Sequence, residues 1–139
     1  MPNQMKINKD LIVGDTNYTL GDIPFDISDV YSTSEVKTNK VWINGKPIYR
    51  KVIQTTVDNN INATIAYNVN NVDYAWIDDT NSVIIGSGEC LGVNWYYGAE
   101  DFCRTWVNTN QRAIRFRCAS KTIGSRPTYI VLEYTKTTD

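Results

Sequence analysis

The chain has 139 residues, of which 42% are hydrophobic and 21% are charged, and its formal net charge is −1. These values are typical of one folded domain with a hydrophobic core, and they exclude an intrinsically disordered chain. A net charge near zero without a polybasic block argues against nucleic acid as a partner. There is no signal-peptide core and no apolar run of membrane-spanning length, so we expect synthesis in the cytoplasm and no membrane insertion.

The first 30 residues differ from the rest in being polar and nearly free of long apolar runs. They contain two short strand-like pieces, Leu11–Gly14 and Tyr18–Gly21, and then a turn signal at Gly21–Pro24. We therefore interpret residues 1–30 as an N-terminal arm or attachment segment, and residues 31–139 as one β domain.

The strongest hairpin signal is Asn44-Gly45, which lies between two apolar, β-branched runs. A type I′ turn needs positive φ at both central residues, and Asn and Gly tolerate it. We predict strands at Val41–Ile43 and Lys46–Ile53, joined by this two-residue turn. Apolar and charged residues alternate onto both faces of residues 48–55, which predicts a strand near a sheet edge or an interface.

Further strands follow at short spacing, separated by turn residues. They are predicted at Ile61–Tyr67, Val72–Ile77, Ser82–Ile85, Phe102–Val107, Arg112–Ala119 and Thr128–Thr135. The pair that flanks Asp78–Asn81 is expected to form a hairpin. Because no segment has a convincing helical period, the sequence predicts an all-β, antiparallel β-sandwich. Its connections are expected to be those of a jelly roll or a Greek key, and a small barrel is the alternative.

The chain contains no histidine. This excludes hydrolases of the Ser–His–Asp and Cys–His types and most metal sites, so we expect no catalytic residue, no metal and no cofactor. Cys90, Cys103 and Cys118 are expected to be free thiols that act as small apolar residues. A glycosidase needs only two carboxylates and remains an alternative. The candidate carboxylates are Asp73, Asp78, Asp79, Glu89, Glu100 and Asp101.

The candidate binding site is the loop-like segment Leu91–Gly98, which carries three consecutive rings at Trp95, Tyr96 and Tyr97. Successive residues of an extended chain point to opposite faces, so we expect at least one ring to be exposed or at an interface. An exposed ring can stack on the C–H face of a sugar while polar neighbours bond its hydroxyls. The alternative is that these rings pack into the core or a subunit interface. The predicted neighbours in the site are Tyr74, Asp78 and Asn94.

A local basic cluster is formed by Arg112, Arg115 and Arg117, with Arg104 on the preceding strand. Such a cluster can hold an anionic cell-wall polymer through bidentate contacts to phosphate or carboxylate. The alternative is pairing with carboxylates, either across a subunit interface or on a solvated face. We treat it as a secondary candidate site.

Two separate segments carry a resemblance to a known family. The first combines Tyr31-Ser-Thr-Ser-Glu35 with Trp42-Ile-Asn-Gly-Lys-Pro-Ile-Tyr49, and the second is Glu133-Tyr-Thr-Lys-Thr-Thr-Asp139. Together they resemble the C-terminal domains of bacteriophage tail-fibre and receptor-binding proteins, which are associated with the tail or baseplate. The resemblance covers residues 31–57 and 126–139, and it supplies no ligand-binding residue.

The resemblance implies a non-enzymatic virion protein of the phage tail, made in the host cytoplasm. It implies a β-rich homotrimer whose partners are other tail or virion proteins and a host cell-surface glycan. Apolar residues on both faces of 48–55 and 112–119 also favour a subunit interface. We expect the host-specific residues within 58–110. The alternatives are a purely structural virion component (a head or tail decoration, or a trimerisation cap) and a glycan depolymerase.

Overall fold

The computed structural model describes residues 10–13, 16–19 and 30–139, so the predicted turn at Gly21–Pro24 lies outside it. All regular structure in these residues is β-strand, which confirms the all-β class. Within the same residues, no helix is long and apolar enough to cross a membrane. The strands are β1 (Asp10–Val13), β2 (Thr16–Thr19), β3 (Val36–Val41), β4 (Pro47–Val57), β5 (Ile61–Ala66), β6 (Val72–Ile77), β7 (Val83–Ile85), β8 (Cys90–Leu91), β9 (Trp95–Gly98), β10 (Asp101–Asn108), β11 (Ala113–Ala119) and β12 (Arg126–Lys136).

The strands form three antiparallel sheets. Near the N-terminus, β1 pairs with β2 in a two-stranded sheet. The large sheet has six strands, in the order β3-β4-β12-β7-β8, with β6 also paired to β12. The small sheet has four strands, in the order β5-β11-β10-β9. β10 and β11 form a hairpin within this sheet, paired from Phe102↔Ala119 to Asn108↔Ala113.

The large and small sheets share one hydrophobic core, which makes the fold sandwich-like. On β12, Ile130, Leu132 and Tyr134 alternate toward the core and are fully buried. On β11 of the small sheet, Ile114 and Phe116 are equally buried in the same core. Every second side chain of these strands therefore points into the core, as the alternation of apolar residues along the two segments predicts.

β4 is predicted to lie near a sheet edge or an interface, and it is the second strand from one edge of the large sheet. It lies inside the large sheet, with β3 on one side and β12 on the other. Its second face is covered by the chain itself, since Ile48 and Val52 on that face are buried. Apolar residues on both faces of β4 therefore do not require a partner subunit.

The predicted hairpin of β6 and β7 is wrong, because both strands pair with β12 instead of with each other. β12 has 11 residues, whereas β6 has six and β7 has three, so the long strand accommodates both along one edge. β6 pairs with residues 132–136 and β7 with Thr128 and Tyr129. The turn interpretation of Asp78 holds, since its Oδ1 accepts a hydrogen bond from the Asn81 backbone at 3.3 Å.

The β3–β4 hairpin turns at the predicted Asn44-Gly45, but β3 ends at Val41, so Trp42 and Ile43 lie outside the strand, and the turn is not a two-residue type I′ turn. Of the two central residues, only Gly45 has positive φ, at 81°. The Gly45 amide donates to the Trp42 carbonyl at 2.9 Å, and the Trp42 amide donates to the Lys46 carbonyl at 2.8 Å. The loop therefore spans three residues and ends in a left-handed glycine, a common hairpin alternative.

The residues that carry the family resemblance meet on the outer face of the large sheet. Arg50 donates to Glu133 across β4 and β12, with 2.8 Å between Nη2 and Oε1. Trp76 Nε1 donates to Glu133 Oε2 at 3.2 Å, and the Trp42 ring stacks on the Trp76 ring with centroids 4.5 Å apart. Tyr31 covers the arginine, with its ring centroid 4.5 Å from Arg50 Cζ. Two segments far apart in sequence thus form one structural network.

Candidate binding site at the edge strand β9

Strand β9 forms one edge of the small sheet and carries the three consecutive rings. This corrects the prediction that Trp95, Tyr96 and Tyr97 lie on a flexible loop. β9 pairs with β10 through Gly98↔Asp101 and Tyr96↔Phe102, so two steps on β9 match one step on β10. Tyr97 is therefore the extra residue of a β-bulge, a device that redirects a side chain from the regular alternation.

The three rings differ in their exposure. Tyr96 is 63% exposed and Tyr97 is 82% exposed, whereas Trp95 is half-buried and packs against the core. The ring centroids of Trp95 and Tyr97 lie 5.4 Å apart, and the two planes are inclined by 44°. The prediction that at least one ring is exposed is confirmed, and the alternative of a core position holds only in part, for Trp95.

Trp95 and Tyr97 line a cleft of about 230 Å³, which we call the β9 cleft. Its wall also contains Glu89, Asp101 and Arg126. Trp95 Nε1 and Arg126 Nη1 are buried and have no hydrogen-bond acceptor among the described residues. Arg126 Nη1 lies 3.7 Å from a Glu89 carboxylate oxygen, beyond hydrogen-bond distance. The cleft therefore combines aromatic rings and carboxylate acceptors with two buried N–H groups that lack a hydrogen-bond acceptor. Further residues of its wall are Leu91, Ser120, Thr122 and Ile123.

The outer face of the small sheet carries a second group of side chains, which we call the arginine–aromatic face. It is defined by Tyr96, Phe102, Arg104, Trp106, Arg115 and Arg117. These positions alternate with inward residues such as Cys103, Phe116 and Cys118, which are buried in the core. Arg104, Trp106 and Arg117 are exposed, and Phe102 and Arg115 are half-buried.

Register explains how the arginines come together on this face. Arg104 lies directly opposite Arg117 in the β10–β11 pair, and Trp106 lies opposite Arg115. The predicted closeness of Arg104 to the arginines of β11 is therefore confirmed for Arg115 and Arg117. Arg112, the third member of the predicted cluster, lies outside the strand, at a positive φ of 50°, and its Nη1 donates to Asn70 Oδ1 at 3.4 Å.

The predicted polar and aromatic neighbours make other contacts. The Asn94 side chain is used to hold the chain, since its Oδ1 accepts from the Thr105 amide at 2.6 Å and its Nδ2 donates to Asp79. Asp78 also accepts from the Asn81 side chain within its own turn. Tyr74 is exposed on β6 of the large sheet, and no hydrogen bond or ring contact of the described residues joins it to β9.

Of the candidate carboxylates, only Glu89 and Asp101 share the β9 cleft. Asp73 forms an ion pair with Lys46 at 2.7 Å, and Glu100 forms an exposed pair with Lys121 at 3.0 Å. In the part of the chain that the structure describes, no group of three or more His, Cys, Asp or Glu side chains is arranged to hold a metal ion.

Sequence reasoning did not find Arg126 as a cleft residue, because it lies far from β9 in sequence, and it named Glu89 only as a candidate carboxylate. In the sequence, Phe102, Arg104 and Trp106 alternate with Cys103, Thr105 and Val107. This alternation is the sequence feature that indicates the arginine–aromatic face. Comparison with protein-family models, with curated proteins and with solved structures finds no match for the chain. The chemistry of the site is therefore argued from its own residues.

Proposed function

We propose that this chain is a receptor-binding module of a phage tail fibre, which binds a host cell-surface glycan without cleaving it. The observation that carries the proposal is Tyr97, a bulge residue on an edge strand whose ring is 82% exposed beside the β9 cleft. A large exposed ring on a rigid strand is a stacking surface for a sugar. Beside this ring, the Glu89 and Asp101 carboxylates in the cleft wall are acceptors for the hydroxyl groups of the sugar.

The assignment to a tail fibre is supported by the resemblance described above and by the contacts among its residues. The Arg50–Glu133 ion pair and the Trp42–Trp76 stack join the two resembling segments in one network on the large sheet. This network lies on the sheet opposite the one that carries β9, so scaffold residues and binding residues are separate. Such a division suits a module that keeps its framework while its receptor contacts change.

The proposed assembly is a homotrimer of jelly-roll or Greek-key domains within the virion tail. Support comes from the β3–β4 hairpin tip, where Ile43 is 92% exposed and Val41 is 67% exposed. Aliphatic side chains displayed at a tip are suited to an interface with another subunit or tail protein. A trimer would also raise the avidity of weak single sites through effective concentration.

The test is binding to an array of bacterial surface polysaccharides, together with adsorption to bacterial cells, for the wild type and two matched variants. Tyr97→Ala removes the exposed ring of β9 and is expected to lower binding at least tenfold without changing the melting temperature. Tyr74→Ala removes an exposed ring of the large sheet and is expected to bind as the wild type does. Absence of wild-type binding to every polysaccharide and cell would favour a purely structural virion component.

A glycan depolymerase is the second candidate, because Glu89 and Asp101 both line the β9 cleft. Hydrolysis of a glycosidic bond uses two such carboxyl groups, one of them as the general acid. Release of new reducing ends from a bound polysaccharide would support this candidate, provided that Glu89→Gln and Asp101→Asn each abolish it. Binding without release of reducing ends would support the non-enzymatic module.

A further inference from the structure

We propose that the arginine–aromatic face binds the acidic groups, carboxylate or phosphate, of an anionic cell-surface polysaccharide. This inference rests on the proposed function and names the class of glycan that the module takes. It adds a second contact surface next to the β9 cleft, since Tyr96 of β9 belongs to the face while Trp95 and Tyr97 line the cleft.

The first argument is the unbalanced charge of this face. Arg104 and Arg117 lie directly opposite each other on β10 and β11, a position in which like charges repel. None of the ion pairs found in residues 30–139 includes Arg104, Arg115 or Arg117. The chain as a whole has a net charge of −1, so this positive charge is local. Two adjacent guanidinium groups without carboxylate partners match one acid group of a ligand.

Arg115 extends the positive row along β11. Among the described residues, its guanidinium donates only to neutral amides, Gln111 Oε1 at 3.4 Å and Asn62 Oδ1 at 3.5 Å. These are long, weak hydrogen bonds, and Arg115 Nε is buried without an acceptor among the described residues. An anionic ligand would give this guanidinium the stronger acceptor that the chain does not supply.

The aromatic residues position the arginines and offer surfaces for sugar rings. The Phe102 ring lies beneath two guanidinium groups, with its centroid 5.7 Å from Arg104 Cζ and 5.4 Å from Arg117 Cζ. These contacts restrict the arginine side chains before binding and so lower the entropy that binding costs. Tyr96 and Trp106 are exposed on either side, and both line a depression of about 420 Å³ with Arg104.

An anionic polysaccharide fits this face better than a nucleic acid does. The adjacent Arg104 and Arg117 guanidinium groups match one acid group, and the exposed Tyr96 and Trp106 rings beside them are surfaces for the neighbouring sugar rings. A nucleic acid carries one phosphate per nucleotide, and proteins that bind it usually present a broad basic surface. Here the cations are few and the net charge is negative.

The test measures binding of the full chain to polygalacturonate (carboxylate), phosphomannan (phosphate), dextran (neutral) and oligothymidylate. Wild type is expected to bind at least one of the two anionic polysaccharides, to ignore dextran, and to lose affinity as salt is raised. The double variant Arg104→Gln/Arg117→Gln is expected to bind at least tenfold more weakly, with a smaller salt dependence. Trp106→Ala is expected to weaken binding while the salt dependence remains.

The matched control is Arg112→Gln/Lys121→Gln, which removes the same charge from outside the face and is expected to bind as the wild type does. If both double variants lost the same amount of affinity, net charge alone would explain the effect, and the proposal would be overturned. So would absence of binding to both anionic polysaccharides, tighter binding to oligothymidylate, or a change of oligomeric mass in the Arg104→Gln/Arg117→Gln variant. If Tyr97→Ala abolishes cell adsorption and the arginine variant does not, the proposed function stands and this inference fails.

Discussion

Arg50 and Glu133 lie directly opposite each other on β4 and β12 and form a buried ion pair on the outer face of the large sheet. Both Arg50 Nε and Nη2 donate to the same Glu133 oxygen, at 3.1 and 2.8 Å, and Trp76 donates to the other oxygen. Every oxygen of the carboxylate thus has a donor. The pair links the hairpin segment of the sequence to its C-terminal segment.

Removing one partner of this pair is expected to destabilise the fold strongly. Arg50→Met leaves a buried carboxylate without its counter-charge and is expected to cost about 3–5 kcal/mol in the free energy of unfolding. The double variant Arg50→Met/Glu133→Leu removes both charges and should recover part of that loss. Urea denaturation measures both effects. Lys121→Met, which breaks an exposed pair with Glu100, is the control and should cost at most about 1 kcal/mol. A wild-type unfolding midpoint for Arg50→Met would contradict the buried pair.

Gly45 is expected to be required for its backbone conformation and not for space. Its φ is 81°, and an added Cβ would meet no atom within 4 Å. Gly45→Val forces a β-branched residue into the left-handed region and is expected to cost about 1–3 kcal/mol. Gly45→Asn should cost less, since Asn tolerates this region. Gly92→Ala, at an open position without positive φ, is the control. Thermal melting of the three variants ranks them, and equal melting of Gly45→Val and Gly92→Ala would refute the turn assignment.

The domain is expected to lose stability in acid partly through Glu35. Burial raises the pKa of Glu35, but hydrogen bonds from Lys136 and Tyr134 outweigh burial and lower the pKa below its ordinary value of 4.5. A carboxyl group with a lowered pKa in the folded state stabilises the fold above pH 4.5, and the stabilisation is lost as pH falls through the folded pKa. Glu35→Gln should therefore show a shallower loss of stability below that pH, measured by urea unfolding between pH 3 and 6 (about the titration range of carboxyl groups). An unchanged slope would show that Glu35 is not linked to folding.

The three cysteines are expected to differ in reactivity. Cys103 and Cys118 are opposite each other on β10 and β11 and are buried in the core, whereas Cys90 is exposed. A hydrogen bond with Cys118 and burial raise the pKa of the Cys103 thiol, which further suppresses its thiolate. A thiol reagent should therefore modify Cys90 rapidly in the native protein and reach the other two only after unfolding. The Cys90→Ser variant is the control, and rapid labelling of that variant would contradict the buried pair.

The sequence alone predicted the fold class because the alternation of apolar residues is local. Strands β4, β5, β10, β11 and β12 are at the predicted positions. The sequence alone also shows that the chain has no histidine, which favours a binding role over catalysis by histidine. The run of Trp95, Tyr96 and Tyr97 is likewise visible in the sequence, and it indicated the segment that forms β9. Local patterns suffice for these properties because side-chain direction in a strand depends only on neighbouring residues.

Tertiary structure decided which strands pair and which side chains meet. β6 and β7 read as a hairpin, but β12 is long enough to pair with both, and this pairing depends on residues about 50 positions away. The bulge at Tyr97 follows from the register of β9 against β10, which no local pattern fixes. Arg126, the first residue of β12, reaches the β9 cleft only through the tertiary fold. The sequence by itself determined what each strand presents on its two faces, and long-range pairing determined which of these faces became a core, a scaffold network or a binding surface.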